Sequence, residues 1–182
     1  MQPRLIQNVI SSNELFFMYK QICETNLWAI TGITDNAPDV YNKKFNHSPM
    51  LLVKRDNDIR SYPFYIWGKS LLFRMEDKLK KDNIGIPIKI NRMWFNITYT
   101  ENNQHWLHID YKTEDSVSFV FFLTPIWSPT WQGSFFVDGK KYEFVPGNAV
   151  AYNSNEYHRG DIPSENSKPW LRLTCNIVAE RE

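Results

Sequence analysis

The chain has 182 residues, a formal net charge of +1 and a pI near 7.7. This length is sufficient for one domain to bury its own core without disulfides or a structural metal, so we predict a single domain over residues 1–182. The near-neutral charge produces no field that would attract nucleic acid or an anionic membrane, and we expect neither as a partner. Aromatic residues make up 15% of the chain, which favours an aromatic-rich β core.

The two cysteines, Cys23 and Cys175, lie in a predicted helix and a predicted strand and are interpreted as small hydrophobic residues. We see no signal peptide at the start of the chain and no apolar run near the ~20 residues of a membrane span. These features predict a reducing, cytoplasmic setting.

The first half of the chain predicts helical support, over 1–85, for a later β core. Ser11 and Glu14 fit a capping box, with Ser11 as N-cap and Glu14 reaching back, and apolar residues at helical spacing predict a helix over 12–25. A second helix is predicted over 63–82. Its first turn accommodates Pro63, which lacks the N–H that would be unpaired there. Shorter strands are predicted near 5–10, 27–33 and 50–53.

From residue 86 the sequence changes to short, alternating, β-prone runs that predict a β core over 86–180. The dipeptide Asp138-Gly139 between two such runs is a strong hairpin signal. Seven or eight antiparallel strands with two helices ahead of them predict a mainly β fold with flanking helices, a cupin-like jelly roll or double-stranded β-helix. The predicted strands are 88–100, 106–111, 116–124, 133–138, 141–144, 148–153 and 170–179.

A histidine-and-carboxylate set lies within this β core. His108 and Asp110 are two residues apart in a predicted strand, so their side chains point to the same face. His158 follows after several turns and strands. Two histidines and one carboxylate that leave open positions on a metal form the facial triad of non-haem Fe(II) oxygenases. We therefore predict His108, Asp110 and His158 as metal ligands.

Arg172, fourteen residues after His158, supplies a planar and always charged fork that matches a carboxylate. Thr174 shares its strand face and adds a hydroxyl. Tyr99, nine residues before His108, and Asn96, a polar residue among apolar ones, are alternative further contacts. Strand parity puts these two on opposite faces and leaves open which one contacts the ligand of Arg172.

Together these features resemble the prolyl-4-hydroxylase-like branch of the Fe(II)/2-oxoglutarate-dependent oxygenases, especially its phage and marine bacterial members. The resemblance implies Fe(II) bound by His108, Asp110 and His158, and 2-oxoglutarate held by Arg172. It also implies O₂ as co-substrate, release of succinate and CO₂, and hydroxylation of an aliphatic C–H bond. The matching segments run from Arg92 to Val178: Tyr99, His108-Ile109-Asp110, Phe119–Leu123, Trp127, Trp131-Gln132-Gly133, Pro146-Gly147-Asn148-Ala149-Val150, His158 and Arg172-Leu173-Thr174.

The chain differs from that family pattern in two loops. Gln132-Gly133 stands where many relatives carry two glycines, and no glycine lies between Tyr99 and His108. Both differences fall outside the predicted metal ligands. They bear on loop geometry and on the substrate.

Four further residues are candidates for substrate contact. His105 lies three residues before His108, which in a strand puts it on the opposite face, so we assign it to the rim and not to the metal. Trp106, Trp127 and Trp131 are equally interpretable as pocket or core residues. The expected substrate is a peptidyl-proline, an amino acid or another small molecule.

Two other classes of function are compatible with the predicted fold. One is a cupin-like jelly roll that binds another metal or modifies sugars, and the other is an interaction domain without turnover. The Arg172-x-Thr174 pattern favours the oxygenase, because neither alternative requires a buried clamp for a carboxylate.

Overall fold

The computed structural model describes residues 1–27, 29–32, 47–80, 87–100, 107–110 and 115–181. Within these residues, two antiparallel sheets face each other: an eight-stranded sheet ordered β1-β9-β6-β11-β5-β3-β2, with β4 paired to β3, and a three-stranded sheet ordered β10-β7-β8. The strands are β1 (Arg4–Ile6), β2 (Ala29–Gly32), β3 (His47–Arg55), β4 (Asp58–Ile59), β5 (Pro87–Thr98), β6 (Ser116–Phe122), β7 (Phe135–Val137), β8 (Lys140–Tyr142), β9 (Ala149–Asn153), β10 (His158–Gly160) and β11 (Arg172–Arg181).

The large sheet has two differently buried faces because successive side chains of a strand point to opposite sides. One face packs in the larger apolar cluster with the two helices, and the other faces the small sheet. Side chains on the helix-facing side include Phe95, Phe119, Phe121, Ala151, Cys175 and Ile177. Side chains on the side that faces the small sheet include Val120, Phe122, Val150 and Tyr152. The mainly β, double-sheet fold predicted from the sequence is confirmed.

The two described α-helices are α1 (Ser12–Glu24) and α2 (Tyr62–Lys80). The N-cap prediction for α1 is confirmed, since the Ser11 hydroxyl accepts a hydrogen bond from the Glu14 N–H at 3.4 Å. The other half of the predicted capping box is wrong. The Glu14 carboxylate instead accepts bonds from Trp67 at 2.7 Å and Arg74 at 2.6 Å, both on α2. A stronger, charge-assisted partner on the neighbouring helix has replaced the local one.

Several predicted strands differ from those observed. Within the described part of 106–111, only an isolated bridge between His108 and His158 forms in place of a strand. The unpredicted strand β10 begins at His158. Residues 1–85 also contribute strands β1 to β4 to the large sheet; β1, β2 and β3 overlap the strands predicted near 5–10, 27–33 and 50–53, and the two-residue β4 was not predicted. Such short pairings form only when a sheet edge is already present, so local sequence signals them weakly. Among the described residues, neither helix combines the length and the hydropathy of a membrane span.

The hairpin predicted at Asp138-Gly139 is confirmed between β7 and β8. Both residues have positive φ, +50° and +71°, as the tight hairpin turn with two left-handed residues requires. This turn sets the register of the small sheet, in which His158 on β10 pairs with Val137 on β7.

A second positive-φ glycine, Gly147, joins the N-terminal segment to the β core. Its carbonyl accepts hydrogen bonds from the N–H groups of Val9 at 2.9 Å and Ile10 at 3.2 Å. Its φ is +80°, and an added Cβ would lie 2.5 Å from the carbonyl oxygen of Ile10. The position therefore requires glycine for two reasons, backbone conformation and space.

We expect Gly147→Ala to lower the free energy of unfolding by more than the roughly 1–2 kcal/mol typical of a left-handed non-glycine residue. Gly139→Ala is the matched control, because Gly139 has a similar φ of +71° with open space around it. Urea unfolding followed by tryptophan fluorescence measures both variants. Equal losses in the two variants would show that the contact with Ile10 contributes nothing.

Candidate metal centre

His108 and His158 come together through backbone pairing between two distant parts of the chain. The His108 N–H donates to the His158 carbonyl at 3.0 Å, and the His158 N–H donates to the His108 carbonyl at 2.9 Å. Asp110 is fixed similarly, since its N–H donates to the carbonyl of Ser154 at 3.1 Å. Backbone hydrogen bonds therefore hold all three predicted ligands before any metal is considered.

The ligand atoms of His108, Asp110 and His158 all lie within 4.8 Å of one another. The Oδ1 atom of Asp110 is 3.4 Å from Nε2 of His158 and 3.9 Å from Nε2 of His108. Ligands that bind one ion at about 2.1 Å and at right angles lie about 3 Å apart, so these separations suit a shared ion. Two imidazoles and one carboxylate on one side of an ion fit Fe(II) with open positions opposite.

The second oxygen of Asp110, Oδ2, accepts hydrogen bonds from the hydroxyls of Ser118 at 2.9 Å and Tyr152 at 3.0 Å. Burial by itself raises the pKa of this carboxyl. The neighbouring His158 and His108 and the bond from Ser118 outweigh burial, so the pKa lies well below its usual range. Asp110 is therefore an anion at neutral pH and a ready ligand for a cation.

His158 is oriented by its other ring nitrogen. Nδ1 lies 3.0 Å from the carbonyl of Glu156, which can accept an N–H at that nitrogen and so leave Nε2 as the metal-binding atom. Its ring packs between Tyr152, at a centroid distance of 4.8 Å, and Phe135, at 5.7 Å. Burial lowers the pKa of His158, but the charge and hydrogen bond of Asp110 raise it above its usual value overall. The side chain is almost fully buried, whereas that of His108 is 25% exposed, so the site opens to solvent on the His108 side.

Arg172, at the start of β11, is a buried cation held by carbonyl groups of the segment before β7. Its Nε donates to the carbonyl of Gly133 at 2.6 Å, and its Nη2 lies 3.5 Å from that of Ser134. Its guanidinium lies over the Phe144 ring at 5.3 Å. No carboxylate of the described residues lies within ion-pair distance of it. Burial lowers the pKa of Arg172 to about 10, with Asp161 opposing, so the group stays protonated at neutral pH.

Polar side chains occupy the same sheet face as Arg172. Thr174 follows two residues later on β11, and Asn96 is its direct partner on β5. Thr98, the direct partner of Arg172, is fully buried, and its hydroxyl has no hydrogen-bond partner among the described residues. A buried hydroxyl without a partner costs free energy unless a ligand satisfies it. This end of the barrel interior is thus suited to an anionic, hydrogen-bonding ligand.

Tyr99 lies on the other side of the sheet. It packs against the helix-facing core, and both burial and the nearby thiol of Cys23 on α1 raise its pKa. The sequence left open whether Asn96 or Tyr99 shares the face of Arg172, and the structure places Asn96 there. Tyr99 therefore does not share the sheet face of Arg172, and its contact with a cofactor stays a prediction.

The candidate substrate residues divide into two groups. Trp127 packs on Phe144 at 4.7 Å and on Trp131 at 5.6 Å, and its Nε1 donates to the Gln132 carbonyl. Trp127 thus lies beside the Arg172 end of the barrel. His105 and Trp106 lie outside the described residues.

Sequence reasoning missed three residues of this region: Ser118, Tyr152 and Thr98. A signal was present in the strand pattern. Ser118 and Tyr152 have the same parity as the apolar residues Val120 and Val150, so each is a polar exception on a buried face. The sequence alone could not show that these two polar residues lie side by side, because that depends on which strands are neighbours in the sheet.

The described fold resembles solved structures of oxygenases. It matches a prolyl-4-hydroxylase from Pseudomonas putida with a TM-score of 0.66 and 14% identity, and the match covers 99% of this chain and 92% of that chain. It matches a 2OG-Fe(II) oxygenase family oxidoreductase from Burkholderia pseudomallei over 97% and 84%, with a TM-score of 0.68 and 12% identity.

A third similar structure is a Trichoplax adhaerens prolyl hydroxylase in complex with a hypoxia inducible factor peptide fragment. It matches over 98% of this chain and 83% of that chain, with a TM-score of 0.65 and 12% identity. No protein-family model and no curated protein matches the sequence. The chain therefore has the fold of the 2-oxoglutarate/Fe(II) oxygenases, as the resemblance in its sequence implied.

Gln132, one of the departures from the family pattern, adopts a backbone conformation typical of glycine. Its φ is +61° and its ψ is −139°. It precedes Gly133, whose carbonyl holds Arg172. A non-glycine residue in such a region stores roughly 1–3 kcal/mol of strain.

We expect Gln132→Gly to raise the free energy of unfolding by about 1 kcal/mol, because the relieved strain exceeds the roughly 0.5–1 kcal/mol of extra chain entropy that glycine loses on folding. Gln132→Ala removes the side chain and keeps the strain, so it is the control. Urea unfolding measures the free energy of unfolding of both variants and of the wild type. A glycine variant less stable than the wild type would contradict strain at this position.

Proposed function

We propose that the protein is an Fe(II)- and 2-oxoglutarate-dependent dioxygenase. The observation that carries this proposal is the convergence of His108, Asp110 and His158, two imidazoles and an ionised carboxylate, inside an oxygenase fold. Bound Fe(II), with 2-oxoglutarate and O₂, supplies an oxidant strong enough for an aliphatic C–H bond and leaves succinate and CO₂.

The protein side chains have separate tasks in this proposal. His108, Asp110 and His158 hold the iron from one side, and the backbone pairing of the two histidines keeps their rings in place. The solvent-facing position of His108 gives the substrate a route to the metal. Burial of Asp110 and His158 limits the access of water to the opposite side of the site.

Arg172 is the proposed anchor for the distal carboxylate of 2-oxoglutarate. Two carbonyl groups hold its guanidinium in place, and burial makes pairing with an anion favourable. The neighbouring hydroxyls of Thr98 and Thr174 and the amide of Asn96 supply further hydrogen bonds. A metal-binding or sugar-modifying jelly roll without oxygenase activity has no need of this buried cation.

The proposed substrate is the aliphatic C–H of a peptidyl-proline, an amino acid or another small molecule. A peptide is supported by the similarity to a prolyl hydroxylase solved with a peptide fragment. Measuring succinate formation over a panel of amino acids and proline-containing peptides tests the proposal. Turnover of 2-oxoglutarate that no panel member stimulates would exclude the amino acids and peptides of the panel as substrates.

We expect His108→Ala, Asp110→Ala and His158→Ala each to abolish 2-oxoglutarate consumption, because each removes one of three protein ligands. Consumption is measured as succinate release with added Fe(II), and circular dichroism checks that each variant is folded. Wild-type consumption in any folded variant would exclude that residue as a ligand.

We expect Arg172→Ala to weaken 2-oxoglutarate binding roughly a hundredfold or more, since an unpaired buried carboxylate loses on the order of 3–5 kcal/mol. Arg172→Lys keeps the charge but lacks the planar guanidinium that binds a carboxylate through two hydrogen bonds, so its affinity for 2-oxoglutarate should lie between those of the wild type and Arg172→Ala. The measurement is titration of 2-oxoglutarate into Fe(II)-loaded protein under nitrogen. Arg60→Ala, at an exposed arginine paired with Asp58, is the control. Equal affinities in wild type and Arg172→Ala would locate the cofactor elsewhere.

A further inference from the structure

We propose that Ser118 and Tyr152 are positioning residues that hold Asp110 by one oxygen and present the other to the metal. This inference rests on the metal site of the proposed function and deepens it. It assigns the strength of metal binding in part to two hydroxyls that are not themselves ligands.

The sheet register places the two hydroxyls together. Ser118 on β6 is the direct partner of Tyr152 on β9, so their side chains leave the sheet side by side on the face towards the small sheet. Both donate to the same atom, Oδ2 of Asp110, at 2.9 and 3.0 Å. Two residues that pair across neighbouring strands thus donate two hydrogen bonds to the same carboxylate oxygen.

The other oxygen of Asp110 points towards the histidines. Oδ1 lies 3.4 Å from Nε2 of His158 and 3.9 Å from Nε2 of His108, whereas Oδ2 is taken up by the hydroxyls. Two hydrogen bonds on Oδ2 oppose rotation of the carboxylate about its bond to Cβ. Asp110 is thereby set to bind an ion through a single oxygen, which keeps neighbouring coordination positions open.

The hydroxyls themselves have little freedom to move. Ser118 and Tyr152 are fully buried, and the hydroxyls of Ser118 and Ser154 are 3.0 Å apart. The Tyr152 ring packs against His158 at 4.8 Å and Phe135 at 5.5 Å. A buried hydroxyl costs free energy unless it is hydrogen-bonded, and the Asp110 carboxylate accepts a hydrogen bond from Tyr152 at 3.0 Å. The ring of Tyr152 packs against its neighbours, and its hydroxyl holds Asp110.

Titration of Mn(II) into the metal-free protein tests the proposal without relying on turnover. We expect Tyr152→Phe and Ser118→Ala each to weaken Mn(II) binding about 10- to 100-fold, the range usual for groups that orient a ligand, and the double variant to weaken it further. Tyr142→Phe and Ser70→Ala are matched controls, because those hydroxyls bond the carbonyls of Pro3 and Trp67. Both controls should bind Mn(II) like the wild type.

Thermal unfolding of the metal-free variants separates positioning from a structural role. A lowered melting temperature with Mn(II) affinity within about threefold of wild type in the double variant would overturn the proposal. If the double variant does not fold, Tyr152→Phe decides by the same criterion, because it keeps the packed ring. Wild-type Mn(II) binding that Asp110→Ala leaves unchanged would instead overturn the proposed metal site, and this inference with it.

Discussion

Alternation of side chains across the large sheet is the constraint on which the rest of this molecule depends. Each of β5, β6, β9 and β11 sends one set of residues into the helix-packed core, and the other set lies on the opposite face, where residues of β6 and β9 pack against the small sheet. The first set is almost entirely apolar. Nearly all the residues of the candidate metal site and of the region around Arg172 belong to the second set or to segments that lie next to it. A shift of register by one residue would exchange the two sets and destroy both core and site.

Two opposite charges are buried on that second side, and they are compensated in different ways. Asp110 is surrounded by two hydroxyls and two imidazoles, so its charge is stabilised but one oxygen remains available. Arg172 is held by carbonyl dipoles and an aromatic face, without a carboxylate partner in the described part of the chain. Had these two groups paired with each other, each would have satisfied the other and neither would bind a ligand. Their separate partners leave one site for a cation and one for an anion.

The similar structures share the fold at 12–14% identity, so very different sequences can adopt it. In this chain the alternation of side chains along the strands, the Asp138-Gly139 turn and the Gly147 contact help to specify it. Fold similarity of this degree does not determine a substrate. Specificity depends on the identities of the side chains around the site, which the fold by itself does not fix.

Sequence alone determined the elements whose signals are local. Period-two and helical patterns located both helices and most strands, and the spacing of His108, Asp110, His158 and Arg172 indicated a metal site with an anion clamp. Tertiary structure alone decided the pairing of distant segments: β10 against β7, Ser118 beside Tyr152, and Asn96, not Tyr99, beside Thr174. Such pairings depend on register between strands far apart in the chain. Local propensity cannot supply that information, because hydrogen bonding and burial select the register only when the sheet assembles.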